Sequence, residues 1–218
     1  CDHPQIKAVA FVGSSKVAEI VYTRSTQKKK RSICLGGAKN HMIVVPDADI
    51  DSTAKGLLAS SMGSAGQRCM AASVAVGVSN IDHIIDQLVK EAKGYKLGVD
   101  MGTIISKVSL DRITNYISGA EKMGAKILFD GRKVSIPSDY ESGYWIGPTI
   151  LDHVDPKWAC ATEEIFGPVL STVRVPDYKQ ALDLVKSNPY GNGVSIFTRD
   201  GDSARDFASK ANIGTAGV

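Results

Sequence analysis

Apolar residues along the chain alternate between two spacings, one typical of β-strands and the other of amphipathic helices. Short runs rich in β-branched residues predict strands at residues 7–12, 42–45, 71–78, 126–129, 145–154, 169–175, 194–198 and 215–218. Apolar positions three and four residues apart predict helices at residues 16–29, 47–61, 80–89, 109–123, 177–188 and 202–211. Because the strands alternate with helices of about 10–15 residues, the sequence predicts an α/β fold with a mostly parallel sheet flanked by helices.

The segments between the predicted elements support this organisation. Asp47 and Asp49 provide helix-start chemistry, and Gly124 follows a helix in the usual C′ position. Residues 131–144 are rich in Gly, Pro, Ser and Asp, which predicts a surface loop. The chain opens just before an apolar strand and stops inside another, so we expect it to be part of a longer protein.

Composition and charge restrict the possible functions. Of 218 residues, 43% are hydrophobic and 22% are charged, and the net charge of +3 is too small to indicate a nucleic-acid partner. The basic run at residues 28–31 is typical of a solvated helix end. No window is long and apolar enough to predict a membrane span. The four cysteines and four histidines are scattered without metal-type spacing, so we expect reduced cysteines and no bound metal.

The stretch from residue 63 to residue 70 is the strongest candidate for chemistry. Small residues at 63–66 let a substrate approach the backbone closely. Arg68 is a permanent cation beside Cys69, and a neighbouring positive charge favours the thiolate, which is the reactive form of cysteine. A lone cysteine is more often a small buried hydrophobe, so this motif alone leaves a nucleophile and a structural residue both open.

Three further segments carry residue types that binding sites use. Residues 11–15 predict a strand, a Gly-Ser turn and a helix start, whose amides can hold a phosphate. Residues 36–41 place a glycine pair before a strand, and residues 163–169 place two glutamates beside an aromatic residue and a Gly-Pro turn. Each has an ordinary structural interpretation as a tight connection or a charged helix start, and each pattern taken singly leaves both open.

Taken together and in this order, these segments resemble the aldehyde dehydrogenase superfamily. The similarity runs from His3 to Val218 and includes FVGSS, GQRC, GYWIGPTI, EEIFGPV, NPYGNG and the final GTAGV. Within the superfamily, GGAKNH, GSAGQRCMA and, more weakly, FDGRK look most like the CoA-acylating methylmalonate-semialdehyde dehydrogenases. The resemblance implies the catalytic part of such an enzyme with a fragment of its Rossmann-like cofactor domain.

The resemblance also implies a role for each candidate residue. Cys69 matches the nucleophile, Glu164 the residue that binds the nicotinamide ribose, and Phe166 the ring beside the nicotinamide. Gly13 and Ser14 match the turn at the cofactor pyrophosphate. The implied mechanism is covalent: the thiolate adds to an aldehyde, hydride leaves to NAD, and an acyl thioester remains on the enzyme.

Two points concern the substrate and the oxyanion. The backbone N–H of Cys69 is one candidate donor to the oxyanion that forms during the reaction. Arg68 matches the geometry needed to face the carboxylate of a malonic semialdehyde. A cation that only tunes Cys69, or pairs on the surface, stays open as the alternative role for Arg68.

One departure from the family pattern bears on the acyl acceptor. Hydrolytic members carry a glutamate in LELGG that activates water, and here Leu35, or Cys34 with a one-residue shift, takes that place. Without a carboxylate base, water is a poor acceptor, whereas a thiol is already partly thiolate at neutral pH. The resemblance therefore implies CoA as acceptor, and a hydrolytic enzyme whose base comes from elsewhere stays open.

The resemblance further implies how the chain divides. Residues 1 to about 35 match a C-terminal remnant of the dinucleotide-binding domain, and residues 36–218 match the catalytic domain, truncated before the oligomerisation segment. The isolated chain is therefore expected to be inactive, and a non-catalytic module acting through assembly stays open as the alternative. The parent enzyme is expected to be a homodimer or homotetramer in the bacterial cytoplasm or mitochondrial matrix. The residues that choose between NAD and NADP lie outside the sequence, and methylmalonate and malonate semialdehyde stay open.

Overall fold

The computed structural model describes residues 1–136, 138 and 142–218, which form two compact units. The first unit contains Cys1–Ala38 and the second contains Lys39–Val218. This boundary falls slightly beyond the predicted one after residue 35. The assignment of the units to a cofactor domain and a catalytic domain stays a prediction.

The first unit is a parallel β–α–β unit made of β1 (Ala8–Val12), α1 (Ser15–Gln27) and β2 (Arg31–Leu35). The sequence predicts β1 and α1 but not β2. The reason is that the cations at residues 28–31 are typical of a helix end and conceal the polar–apolar alternation that starts there. The helix in fact ends at Gln27, and the chain turns through Lys29, whose φ is +57°.

The second unit contains a seven-stranded sheet. Its strands are β3 (Asn40–Val44), β4 (Ala72–Val78), β5 (Lys126–Phe129), β6 (Thr149–Asp152), β7 (Val169–Val175), β8 (Gly193–Phe197) and β9 (Thr215–Gly217). They lie in the order β5-β6-β7-β4-β3-β8-β9, and each neighbouring pair is parallel apart from β5 and β6. The prediction of a mostly parallel sheet flanked by helices is therefore confirmed.

The helices of the second unit connect these strands. They are α2 (Ile50–Met62), α3 (Asp82–Lys93), α4 (Lys107–Lys122), α5 (Ala159–Thr162), α6 (Tyr178–Ser187) and α7 (Gly201–Lys210). Aspartates cap two of them as the sequence predicts: Asp49 accepts from Ser52 N at 2.9 Å, and Asp177 accepts from Gln180 N at 2.8 Å. The short α5 is not predicted, because a single helical turn has no periodicity to detect.

The core lies along the middle strands of the sheet. β4 and β7 form the central pair and are buried along nearly their whole length, which is typical of strands in a parallel sheet covered on both faces. Both α2 and α6 contact these two strands. A sheet buried in this way supplies a rigid support for the segments at its edge.

The predicted strand at residues 145–154 is too long. The observed β6 covers only Thr149–Asp152, because Pro148 has no N–H to donate to a ladder and Gly147 N instead donates to Gly131 O at 2.9 Å. The predicted loop at residues 131–144 begins with a 3₁₀ turn at Gly131–Lys133. Residues 137 and 139–141 of that loop lie outside the described residues.

Candidate active site

The amino ends of four strands meet at one edge of the sheet, since β7, β4, β3 and β8 are consecutive parallel neighbours. The segments leading into these strands therefore come together. They are Asn40 at the start of β3, Cys69 before β4, residues 164–167 before β7, and Asn192 before β8. This edge carries the candidate residues of the second unit.

The loop that holds Cys69 (residues 63–70, the Cys69 loop) follows a left-handed path. It begins where α2 ends and forms a turn at Gly63–Gly66, in which Ser64 and Ala65 have φ values of +52° and +53°. Each such residue costs about 1–2 kcal/mol, because its Cβ lies too close to the following carbonyl oxygen. Backbone strain of this kind is concentrated at functional sites.

Gly66 joins the Cys69 loop to residues 164–167 (the Glu164 segment). Its φ is +67°, and a Cβ at this position would lie 2.1 Å from the carbonyl oxygen of Gly167. Gly167 is itself covered by Ile113 of α4, whose Cδ1 lies 2.5 Å from where a Cβ on Gly167 would be. Glycine at both positions therefore allows the two segments to touch through their backbones.

Two side chains of the Cys69 loop tie it to its surroundings. The Gln67 side chain donates through Nε2 to Thr103 O at 3.1 Å and accepts from Ile105 N at 2.9 Å. Arg68 donates through Nη2 to the carbonyl oxygens of Ala59 and Ser60, at 3.2 and 2.9 Å, near the end of α2. The loop is thus held on two sides, and the Arg68 side chain remains exposed.

Cys69 is exposed, in contrast to Cys160, which is buried in the core. The carbonyl oxygen of Cys69 accepts hydrogen bonds from Asn40 Nδ2 and from Asn192 Nδ2, both at 2.7 Å. An accessible thiol on a firmly held backbone is the arrangement that a nucleophile needs. The role of a buried structural cysteine, which the sequence leaves open for Cys69, does not fit this exposure.

The Glu164 segment contains an exposed aromatic residue and a half-buried glutamate. Phe166 is 38% exposed and has a φ of +53°, which is rare for a residue with a side chain. Its neighbours Ile165 and Gly167 are buried, so the backbone is anchored while the ring faces outward. Glu164 is half-buried, and its carbonyl oxygen accepts from Arg112 Nη1 at 3.3 Å. An exposed ring on an anchored backbone can contact a flat heterocycle, and a carboxylate in the same segment can accept hydrogen bonds from hydroxyl groups.

The side chain of Lys39 contacts the helical turn that precedes the Glu164 segment. Its side chain is almost completely buried, and its Nζ donates to the carbonyl oxygen of Cys160 at 2.9 Å. Burial lowers the pKa of Lys39 to about 8, although the neighbouring Cys160, Glu164 and Glu163 oppose this shift. The lysine therefore ties the start of β3 to α5, the helical turn that leads directly into Glu163 and Glu164.

Gly13 and Ser14 lie in the first unit, between β1 and α1. Ser14 occupies the N-cap position, and its side chain does not cap the helix. A Cβ on Gly13 would lie 2.6 Å from Cζ of Phe11, so glycine makes room for that ring. The exposed amides at the start of α1 are of the kind that binds phosphate oxygens, and a pyrophosphate-binding role for this turn stays a prediction.

Several residues at the sheet edge are not singled out by the sequence. Asn40 and Asn192 lie in GGAKNH and NPYGNG, but a side-chain amide that binds a backbone carbonyl leaves no pattern. Lys39, Gln67 and Arg112 likewise act through backbone partners. Only their position in the fold could have identified these residues, because each lies in, or packs on, a segment that precedes a parallel strand.

Two further observations bear on the predicted partners. Among residues 1–136, 138 and 142–218, no helix is long and apolar enough to cross a membrane. Within the same part of the chain, histidine, cysteine, aspartate and glutamate side chains form no group of three that could hold a metal ion.

Comparison with known sequences gives a consistent result. The sequence model described as "Aldehyde dehydrogenase family" matches residues 1–218. Over 224 residues, the chain is 42% identical to a mitochondrial, acylating methylmalonate-semialdehyde/malonate-semialdehyde dehydrogenase of Homo sapiens, covering 100% of this chain and 42% of that protein. It is 41% identical to a malonate-semialdehyde dehydrogenase of Pseudomonas aeruginosa, with 99% and 45% covered. The chain thus spans less than half the length of these curated relatives.

Solved structures of methylmalonate-semialdehyde dehydrogenases also superpose closely on this chain. A candidate methylmalonate-semialdehyde dehydrogenase of Sinorhizobium meliloti, solved in complex with NAD, superposes with a TM-score of 0.95 at 47% identity, covering 99% of this chain and 45% of that one. A methylmalonate-semialdehyde dehydrogenase of Oceanimonas doudoroffii also gives a TM-score of 0.95, at 42% identity, with 99% and 46% covered.

Proposed function

The chain belongs to the aldehyde dehydrogenase family, and we propose that a complete enzyme containing it oxidises malonate or methylmalonate semialdehyde to an acyl-CoA with NAD. The observation that carries the proposal is the contact of Gly66 with Gly167, which holds the exposed Cys69 loop against the segment bearing Glu164 and Phe166. The substrate class follows the names of the relatives from Homo sapiens and Pseudomonas aeruginosa.

Cys69 performs the covalent chemistry in this proposal. Its thiolate adds to the carbonyl carbon of the aldehyde, so that a C–S bond forms and the carbonyl oxygen becomes an oxyanion, which the backbone N–H of Cys69 can stabilise. Loss of hydride from the same carbon leaves an acyl thioester on the sulfur. The thiolate of CoA then attacks the acyl carbon, which releases acyl-CoA and regenerates the Cys69 thiolate.

NAD supplies the hydride acceptor when it is bound. The outward-facing ring of Phe166 fits a nicotinamide, and the adjacent Glu164 carboxylate fits the hydroxyl groups of its ribose. Gly13 and Ser14, at the start of α1, fit a pyrophosphate.

The sequence of β2 supports CoA rather than water as the acyl acceptor. This strand contains Arg31, Ser32, Ile33, Cys34 and Leu35, and none of these side chains is a carboxylate that could act as a general base on water. A thiol needs no such base, because a few per cent of it is already thiolate at neutral pH.

We expect the complete enzyme to release its acyl group only to CoA. With CoA present, NADH and acyl-CoA should form in equal amounts, measured by absorbance and mass spectrometry. With CoA left out, NADH formation should stop after about one turnover per Cys69, because the thioester stays on the enzyme. Free acid formed at the same rate with and without CoA would instead establish a hydrolytic enzyme.

Arg68 is proposed to bind the carboxylate of the semialdehyde. Its Nη2 is occupied by Ala59 O and Ser60 O, which leaves Nη1 and Nε to donate to a substrate. We expect Arg68→Ala to raise KM for malonate semialdehyde about 10- to 100-fold, the effect of losing a charged hydrogen bond.

Propanal provides the control, since it lacks the carboxylate. The kinetic constants of Arg68→Ala for propanal should stay close to those of the wild type. An equal loss with both aldehydes would show that Arg68 only fixes the Cys69 loop to the end of α2.

A further inference from the structure

The carbonyl oxygen of Cys69 is held by side chains instead of by a regular backbone ladder. Asn40 Nδ2 and Asn192 Nδ2 both donate to it at 2.7 Å. A carbonyl oxygen has two lone pairs, so these two amides occupy its acceptor capacity. They approach from two different segments, the start of β3 and the residue before β8.

Asn40 is itself fixed in one orientation. Its Nδ2 also donates to Ala71 O at 2.9 Å, and its Oδ1 accepts from Gly193 N at 3.0 Å. The opposite amide orientation would place Oδ1 against two carbonyl oxygens and Nδ2 against an N–H, so the network determines which way the amide faces. Asn40 is buried, and it therefore presents a rigid donor to Cys69.

Asn192 reaches Cys69 from a strained backbone. Its φ is +90°, outside the regions that residues with a side chain prefer. Its carbonyl oxygen accepts from Thr215 N at 2.9 Å, which anchors it to β9. The next residue, Gly193, bonds to Asn40, so the two amides form one connected clamp. Strain that is maintained by several contacts is typical of groups whose position matters for function.

We propose that Asn40 and Asn192 are positioning residues that fix the backbone of Cys69 and thereby the direction of its Sγ and N–H. The clamped carbonyl sets the ψ angle of Cys69, and it does so on an exposed loop where packing alone does not restrain the thiol. This inference rests on the proposed role of Cys69 as the nucleophile. Neither asparagine touches the reacting atoms.

Asn192→Gly in a complete enzyme tests the contribution of the side-chain amide at a position where the backbone has a positive φ. Glycine accepts a φ of +90° without strain, so the backbone can keep its path while the hydrogen bond to Cys69 is lost. We expect kcat to fall about 10- to 100-fold, as for a reacting group displaced by about 1 Å. The KM values for aldehyde and NAD and the rate of Cys69 alkylation by iodoacetamide should each remain within about threefold, since a small reagent needs no fixed direction of approach. The melting temperature should not fall.

Two further variants complete the design. Asn212→Gly changes an exposed asparagine that also has a positive φ, +46°, and should leave kcat unchanged. Asn192→Asp keeps the shape but replaces the donor, and it should lose as much kcat as Asn192→Gly. A wild-type kcat in Asn192→Gly or Asn192→Asp would overturn the inference, as would a loss accompanied by a lowered melting temperature. The proposed function fails separately, if Cys69→Ser remains active.

Discussion

Cys69→Ser in a complete enzyme is expected to lower kcat for aldehyde oxidation by roughly four orders of magnitude or more, because it removes the covalent nucleophile. A serine hydroxyl is protonated at neutral pH and needs a base to become nucleophilic. The side chains that hold the loop at this point, Asn40, Asn192 and Gln67, are amides and cannot accept its proton. The rate is measured as NADH absorbance at saturating aldehyde, NAD and CoA.

Cys1→Ser is the matched control. Cys1 is also exposed and free, and the proposed mechanism gives it no role, so its replacement should leave kcat unchanged. Activity of Cys69→Ser within tenfold of the wild type would remove Cys69 from the mechanism. Mass spectrometry of the enzyme incubated without CoA adds a direct observation, because the acyl group should be found on the peptide containing Cys69 and absent from the serine variant.

Gly66→Ala is expected to destabilise the chain by about 3–5 kcal/mol, since it adds the strain of a left-handed alanine to a severe overlap. The new methyl group would lie 2.1 Å from Gly167 O. The atoms that it would meet, in Gly167 and Pro168, all belong to the backbone and cannot rotate away as a side chain can. The Cys69 loop and the Glu164 segment must then separate, so kcat of the complete enzyme should fall together with stability. Urea titration measures the change in the free energy of unfolding.

Gly119→Ala is the control for this substitution. No atom lies within 4 Å of where a Cβ on Gly119 would be, and the residue is inside α4. Alanine should therefore leave the free energy of unfolding unchanged or raise it by up to about 1 kcal/mol. An unfolding midpoint of Gly66→Ala equal to that of the wild type would contradict the close backbone contact.

The fold could be predicted from the sequence wherever local pattern and tertiary environment agree. The strands at residues 126–129 and 169–175 are observed with the predicted bounds, because turn residues lie on both sides of these short, largely apolar segments. β2 was not predicted because the basic run at residues 28–31 is typical of a helix end, and α5 is too short to show helical periodicity. The overlong prediction at residues 145–154 shows how one Gly-Pro pair outweighs strand propensity.

The site could be predicted only in part. Cys69 and Glu164 lie in recognisable sequence motifs, and the structure places the Cys69 loop in contact with the Glu164 segment. The left-handed turn was not predictable, since Ser64 and Ala65 are not residue types that indicate a positive φ. The amide clamp was not predictable either, because its acceptor is a backbone carbonyl, which every residue has.

The bond between Asn40 and Gly193 joins positions 153 residues apart and encloses nearly the whole second unit. A ribosome synthesises Cys69 long before it reaches Asn192, so on the nascent chain the Cys69 carbonyl first lacks one of its two amide donors. Contacts of such wide sequence separation form late, since the chain entropy lost in closing them is large. The loop that carries the sulfur is therefore among the first parts of the unit to be translated and among the last to be locked into place.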